Sequence, residues 1–396
     1  MNVVYISPNF PTNYYRFCEE LRRNGVSVLG IGDCPYEQLT PELKAALTEY
    51  YKVGSLEDYD ELIRAVGYFT FRYGKIDWLE SNNEYWLETD AALRTDFNIN
   101  SGLKTPDMPK IKYKSKMKEY YAKAGIPTAR YHLVDTLENG LAFAREVGYP
   151  VIVKPDNGVG ANATFKLKNE EQLLEFYASG WSTQYIMEEF VNGEICSYDS
   201  IIDSNGTPLL ETGNITPISI MDSVNDRETV FFYIVPNLKE DARAAGRACV
   251  KAFGVRSRCT HLEFFRLLED KPGLGKKGDI VGLEVNMRPS GGFTPEMINY
   301  ANSTDFYKDW ADMVCFDKLT KESYPEKFYG VHVGRRNEKH YRHSHRDVMS
   351  RYRGQIMETG VLDPALATGM GDRFYIARID TAEQLEQFRK YVSEEV

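Results

Sequence analysis

The sequence is short of several features that would decide a function at once. It has no apolar run of roughly 18 residues, the length a membrane helix needs, so no membrane span is expected. It has no basic surplus. Its formal net charge of −10 argues against nucleic-acid binding. The six cysteines, at 18, 34, 196, 249, 259 and 315, form no Cys-x-x-Cys pair, so neither a zinc site nor a redox motif is predicted. They read as reduced thiols of a cytoplasmic protein. The start, MNVVYISPNF, lacks a basic segment followed by a long apolar one and does not resemble a signal peptide. No Gly-x-Gly-x-x-Gly follows the first predicted strand, and no Gly-Lys-Ser/Thr occurs. A dinucleotide fingerprint and a Walker A loop are therefore both missing. No repeat of roughly 20–50 residues and no low-complexity segment is present.

What remains is a chain of 396 residues, 42% hydrophobic and rich in Tyr and Phe, as in a soluble globular protein. At roughly 100–200 residues per domain it holds two or three domains. Residues 3–6 and 26–31 are short β-rich runs around a helical pattern, the start of a parallel α/β unit. Helix signals return at 59–66, and 76–80 is another strand candidate. Two prolines at 105–109 suggest a linker. Helices are expected at 115–124, from 135 to Gly148, from Asn169, at 238–253 and at 381–392, several with a capping residue in front. Strands are expected at 129–134, 149–155, 164–167, 185–189, 194–203, 261–268, 280–286, 329–333 and 373–379. Asn205-Gly206 suits a hairpin turn.

Three stretches carry chemistry. Glu284 and Asn286 are two apart, so on a strand both point to one face. If the preceding strand pairs with theirs, Glu263 joins them. Two carboxylates and an amide oxygen then form a hard-oxygen pocket suited to Mg2+. The same pattern also fits a solvated strand face. Lys154 leaves an apolar strand beside a loop with Gly158 and Gly160, where a lysine and loop amides reach a phosphate. A strand-end lysine in a glycine turn is the ordinary reading of that stretch taken alone. Glu188-Glu-Phe-Val-Asn-Gly-Glu194 joins two strands, and such a connector offers backbone groups to an adenine edge.

In chain order, Lys114, Lys154-Pro-x-x-Gly, Glu188-x-x-Val191-x-Gly-Glu194, Glu263 and Glu284-Val-Asn286-x-Arg288 resemble the ATP-grasp superfamily. That group includes D-alanine–D-alanine ligase, biotin carboxylase and carbamoyl-phosphate synthetase. The resemblance covers about residues 1–310 and is most specific at 283–289. It implies an α/β (α+β) fold: a Rossmann-like pre-ATP-grasp domain at 1–108, a small lobe with a glycine-rich lid at 109–192, a large lobe with the magnesium site at 193–325, and a small C-terminal α+β unit at 326–396. It implies that Lys114 and Lys154 hold nucleotide phosphates under a lid that includes Gly158 and Gly160. Glu188, Glu189 and Val191 form the adenine hinge, and Glu194 binds ribose. Glu263, Glu284 and Asn286 hold two Mg2+ ions, with Mn2+ as a substitute. Arg288 holds the reacting phosphoryl oxygens, and Ser290-Gly-Gly292 adds backbone donors there.

The implied activity is that of an ADP-forming ligase. It activates a small-molecule carboxylate as an acyl phosphate and joins it to an amine, with amino acids as the expected class. A bicarbonate-activating enzyme is disfavoured, because Pro289-Ser-Gly-Gly-Phe replaces the Gln-Val-Glu-His segment of biotin carboxylases and no duplicated unit is present. A non-catalytic ATP sensor is weakened by the intact acidic trio and Arg288. No nucleic-acid or membrane partner is expected, and the C-terminal unit leaves room for a homodimer. His340, His343 and His345 have no zinc spacing and read as a solvated basic turn. His132 and His261 read as core histidines, with His261 on the face of Glu263, and Arg335-Arg336 as surface.

Overall fold

The computed structural model describes residues 1–158, 163–217, 228–321, 326–362 and 364–396. Three sheets organise it. The first is parallel and contains β1 (Asn2–Ile6), β2 (Ser27–Gly32), β3 (Glu49–Lys52) and β4 (Trp78–Glu80), in the order β3-β2-β1-β4. The Val-Val-Tyr-Ile run of β1 is buried on both faces, as the centre of a parallel sheet requires. The crossover helix Tyr59–Tyr73 is capped by Asp58 and stops at Gly74, whose φ of 84° suits glycine.

The second sheet is antiparallel. It contains β5 (Tyr131–Leu133), β6 (Val151–Pro155), β7 (Phe165–Leu167) and β8 (Tyr185–Glu189), in the order β5-β8-β6-β7. The capped helices Leu137–Val147 and Glu170–Ser179 contribute to its core. The third sheet has nine strands: β9 (Gly193–Ile202), β10 (Pro208–Thr212), β11 (Asn214–Thr216), β12 (Val230–Ile234), β13 (Arg258–Leu267), β14 (Ile280–Asn286), β15 (Tyr329–Arg335), β16 (Ile356–Val361) and β17 (Arg373–Ile379). Its order is β14-β13-β9-β11-β12-β15-β17-β16, with β10 also on β9. The turn expected at Asn205-Gly206 joins β9 and β10, and Gly206 has φ 85°. The segment 326–396 extends the large sheet through the antiparallel pair β12–β15.

The helix Tyr15–Arg23 docks the first sheet on the large one. Phe17 meets Tyr307 and Trp310 edge-on at ring separations of 4.7 and 5.1 Å. Buried Glu80 on β4 pairs with Arg258 at 2.9 Å and Arg94 at 3.5 Å, a second tie between the two sheets. Arg335 and Arg336, expected at the surface, are instead buried. Arg335 donates to the Val392 carbonyl and Arg336 to those of Ala367 and Thr368, because β15 lies inside the sheet rather than at its rim. The basic turn docks on the C-terminal helix Ala382–Ser393 and the residue after it. His343 stacks on Tyr391 and meets Glu394 at 3.1 Å.

Candidate active site

The β13–β14 register sets Glu263 directly opposite Glu284 and His261 opposite Asn286. On its other edge, β13 sets His261 opposite Asp199 and Glu263 opposite Ser197. Opposite residues share a face, so six polar side chains lie together across three strands. His261 bonds Asp199 through Nδ1 at 2.6 Å and meets Glu263 through Nε2 at 3.5 Å. Burial alone would lower the imidazole pKa, but the two carboxylates outweigh it and push it up to about 10. Burial would raise the Glu263 carboxyl; His261 and Arg288 instead hold it below the ordinary value.

Cations face this patch. Lys114 opens the helix Lys114–Lys123, and its Nζ lies 3.1 Å from Glu284 and 3.4 Å from the Gly158 carbonyl oxygen. Asp156 fixes the start of that helix. Its carboxylate accepts from the Ser115 N–H and hydroxyl at 2.7 Å each, and its carbonyl from the Lys114 N–H at 2.9 Å. Asp156 directly follows β6, so one contact locks the Lys114 helix to the strand that carries Lys154. Lys154 Nζ lies 2.7 Å from Glu188, and Lys118, one turn beyond Lys114, lies 2.6 Å from the other Glu188 oxygen. Burial would lower Lys154; Glu188, Glu284 and Glu263 together raise it instead, so it stays charged. Burial would raise Glu188, yet the two lysines hold it down at about 2. For Lys118 burial wins, and its pKa is lowered.

Arg288 closes the ring of charges. Its Nε donates to Glu84 at 3.2 Å, one Nη to the Pro289 carbonyl at 2.7 Å and the other to Asn286 Oδ1 at 3.4 Å. Glu84, between β4 and the helix Leu87–Asp96, also takes Lys112 at 2.7 Å. The site thus lies where all three sheets meet.

The connector beside it, expected to be the adenine hinge, makes contacts of its own. Glu189 accepts from the Arg130 N–H at 2.8 Å and its guanidinium at 2.9 Å. Lys271 donates to the Phe190 carbonyl at 2.6 Å. Val191 packs with Ala129, Leu267, Leu274 and Val281 as a small apolar wall against Phe265. Glu194 does not join the site. Ser197 and Asp199 on β9 face the acidic trio, so Ile195 does too, and Glu194 turns to the opposite face with Cys196 and Tyr198. There it lines a separate cavity. That placement does not support the ribose role expected of Glu194. Gly160 lies outside the described residues.

Among the described residues, no group of three His, Cys, Asp or Glu side chains is arranged to hold a metal ion. The trio supplies two carboxylates and an amide oxygen, a donor set that suits a hard cation. Lys114 meets Glu284, His261 meets Glu263 and Arg288 meets Asn286, so all three are engaged by protein donors.

Residues 111–200 match the family model "Carbamoyl-phosphate synthase L chain, ATP binding domain". The chain is similar to the phosphoribosylamine–glycine ligase of Lactococcus lactis, 37% identical over 92 residues, which is 22% of this chain and 21% of that protein. Matches of this kind span from 10% to 22% of the curated relatives. Among solved structures, an L-amino acid ligase from Bacillus licheniformis shares the fold with a TM-score of 0.75 at 17% identity, covering 100% of this chain and 97% of that one. The biotin carboxylase domain of a 2-oxoglutarate carboxylase from Hydrogenobacter thermophilus, solved with ADP, magnesium and bicarbonate, does so with a TM-score of 0.70 at 15% identity, covering 100% and 90%. Residues 111–200 thus carry the likeness to an ATP-binding domain, and the whole chain shares its fold with these ligases.

Proposed function

We propose that this chain is an ADP-forming carboxylate–amine ligase acting on amino acids or closely similar small molecules. One observation carries the reading: Glu263, Glu284 and Asn286 share a face that Lys114, Lys154 and Arg288 surround. A nucleotide triphosphate needs such a cluster of cations, and a divalent ion needs such oxygens.

In this reading Lys114 and Lys154 bind the phosphates. Glu188 keeps Lys154 charged in a buried setting, where an isolated lysine would tend to lose its proton. The backbone of Glu189 to Val191 and the apolar wall behind it receive the adenine. Glu263, Glu284 and Asn286 would hold Mg2+, as two ions or with Mn2+ in its place. When bound, magnesium supplies charge neutralisation at the transferring phosphoryl group. The guanidinium fork of Arg288, oriented by Glu84, suits the phosphoryl oxygens. The substrate carboxylate attacks the γ-phosphorus and ADP leaves. The amine then adds to the acyl carbon and expels phosphate. His261, charged between Asp199 and Glu263, offsets part of the negative charge of the acidic face.

The domains proposed are 1–108, 109–192, 193–325 and 326–396, the last joined to the third by a shared sheet. We place the protein in the cytoplasm. A homodimer is compatible with this reading. The name of the Bacillus licheniformis neighbour supports amino acids as the substrate class. The test is phosphate release from ATP and Mg2+ with pairs of amino acids. At least one pair should release phosphate, and Glu284→Gln should abolish it while leaving the fold intact. ATP binding with no release for any carboxylate would make the chain a sensor; full activity of Glu284→Gln would remove the metal assignment.

A further inference from the structure

The face of the large sheet turned away from the active site has its own cavity, of about 280 Å3. It lies where β9, β11, β12 and β15 meet the start of the helix Glu240–Phe253. Glu194 points toward this side. It makes no ion pair and no side-chain hydrogen bond among the described residues. The rings of Tyr233 and Tyr329 stand beside it, 5.9 Å apart. Burial, and then the Glu194 carboxylate, push the Tyr233 hydroxyl up to about 12.

The cavity also has a positive side. Lys239 lines it and has no side-chain partner among the described residues. The 14-residue helix that begins after it has no capping side chain at Lys239. Its early N–H groups are therefore open, apart from that of Ala242, which donates to Asp241 at 2.7 Å. Asp241 is itself neutralised by the guanidinium of Arg266, at 2.5 and 2.9 Å. A lone anion would meet Glu194, and a lone cation would meet Lys239. A molecule carrying both charges satisfies both sides.

We propose that this cavity binds a small zwitterion of the amino-acid class, its ammonium against Glu194 and the two tyrosine rings and its carboxylate against Lys239 and the helix start. Carboxylate and aromatic faces together suit an ammonium group, and a helix N-terminus suits a carboxylate. The site is separate from the ligase chemistry, since β9 turns Asp199 and Glu194 to opposite faces.

The test is calorimetry on the full chain without ATP, using glycine, L-alanine, L-leucine and L-glutamine as probes and their methyl esters as controls. Arg288→Ala disables the face proposed for catalysis. At least one probe should bind wild type and Arg288→Ala equally. The same probe should bind about tenfold more weakly to Glu194→Gln, the loss expected for one hydrogen bond to a charged group. Lys239→Ala, at an exposed position, and the methyl ester should each weaken binding in the same way. Binding lost in Arg288→Ala, or unchanged in Glu194→Gln, would overturn the proposal, as would the absence of binding by every probe. Because ATP is omitted, failure of the ligase reading would leave these outcomes unaffected.

Discussion

Glu188→Gln gives a sharp test of the buried charges at the site. The carboxylate is held between Lys118 and Lys154 at 2.6 and 2.7 Å, and all three residues are buried. Its pKa is lowered from 4.5 to about 2, which corresponds to about 3 kcal/mol of native stability at neutral pH. Breaking a buried pair from one side costs a similar ~3–5 kcal/mol. The sign follows from the direction of the shift. A depressed carboxyl stabilises the fold above its unfolded value and loses that contribution as pH falls toward about 2. Urea unfolding of wild type and variant should differ by about 3 kcal/mol at pH 7. The gap should shrink to about half or less by pH 3, because the unfolded carboxyl is by then protonated while the native one still holds its charge. A gap that stays constant between pH 7 and pH 3, or that is absent at pH 7, would refute the electrostatic account of this cluster.

Further expectations concern the phosphate site and the core. Lys154→Ala should raise the ATP concentration needed for half-maximal phosphate release by about tenfold or more; an unchanged ATP response would remove Lys154 from the site. Glu296, fully buried against Asn13 and Tyr307, is pushed up to about 7 by burial first and by Glu358, against the pull of Tyr307 and Arg16. A raised carboxyl favours the native state below its unfolded value, so that stability is lost as pH rises through about 7. Glu296→Gln should flatten this dependence by about 3 kcal/mol, read from unfolding midpoints between pH 5 and 8. Gly282→Ala would bring a Cβ within 2.6 Å of the buried Tyr121 ring. It should destabilise by about 1–3 kcal/mol in the same assay.

Local patterning carried much of this structure. Two polar residues at strand spacing, with a third on the preceding strand, were enough to anticipate the Glu263–Glu284 pairing, because a hairpin leaves few registers open. Capping residues at Asn169 and Thr381 marked helix starts that the structure contains, and the helix expected to open at Asp135 is capped one residue later, by Thr136. The placement of Glu194 is legible in the sequence, because strand alternation sets it on the face opposite Ser197 and Asp199. Lys118 had a signal too, since it lies four residues beyond Lys114 on one helix face. Glu84 and Lys112 had none, because their roles depend on how a separate sheet docks. Arg335 and Arg336 are buried despite their charge because they stand at the end of a central strand.

The pairing of β12 with β15 has a consequence for the chain while it is still being made. Residues 230–234 meet partners at 330–334, about a hundred positions later. Until that stretch leaves the ribosome, β12 presents an unpaired edge of Val-Phe-Phe-Tyr-Ile to the cell. Non-local closure of this kind is slow and exposes the intermediate to aggregation. The large sheet is thus completed late in synthesis, and a chain stalled or truncated before residue 330 would leave that edge of β12 exposed.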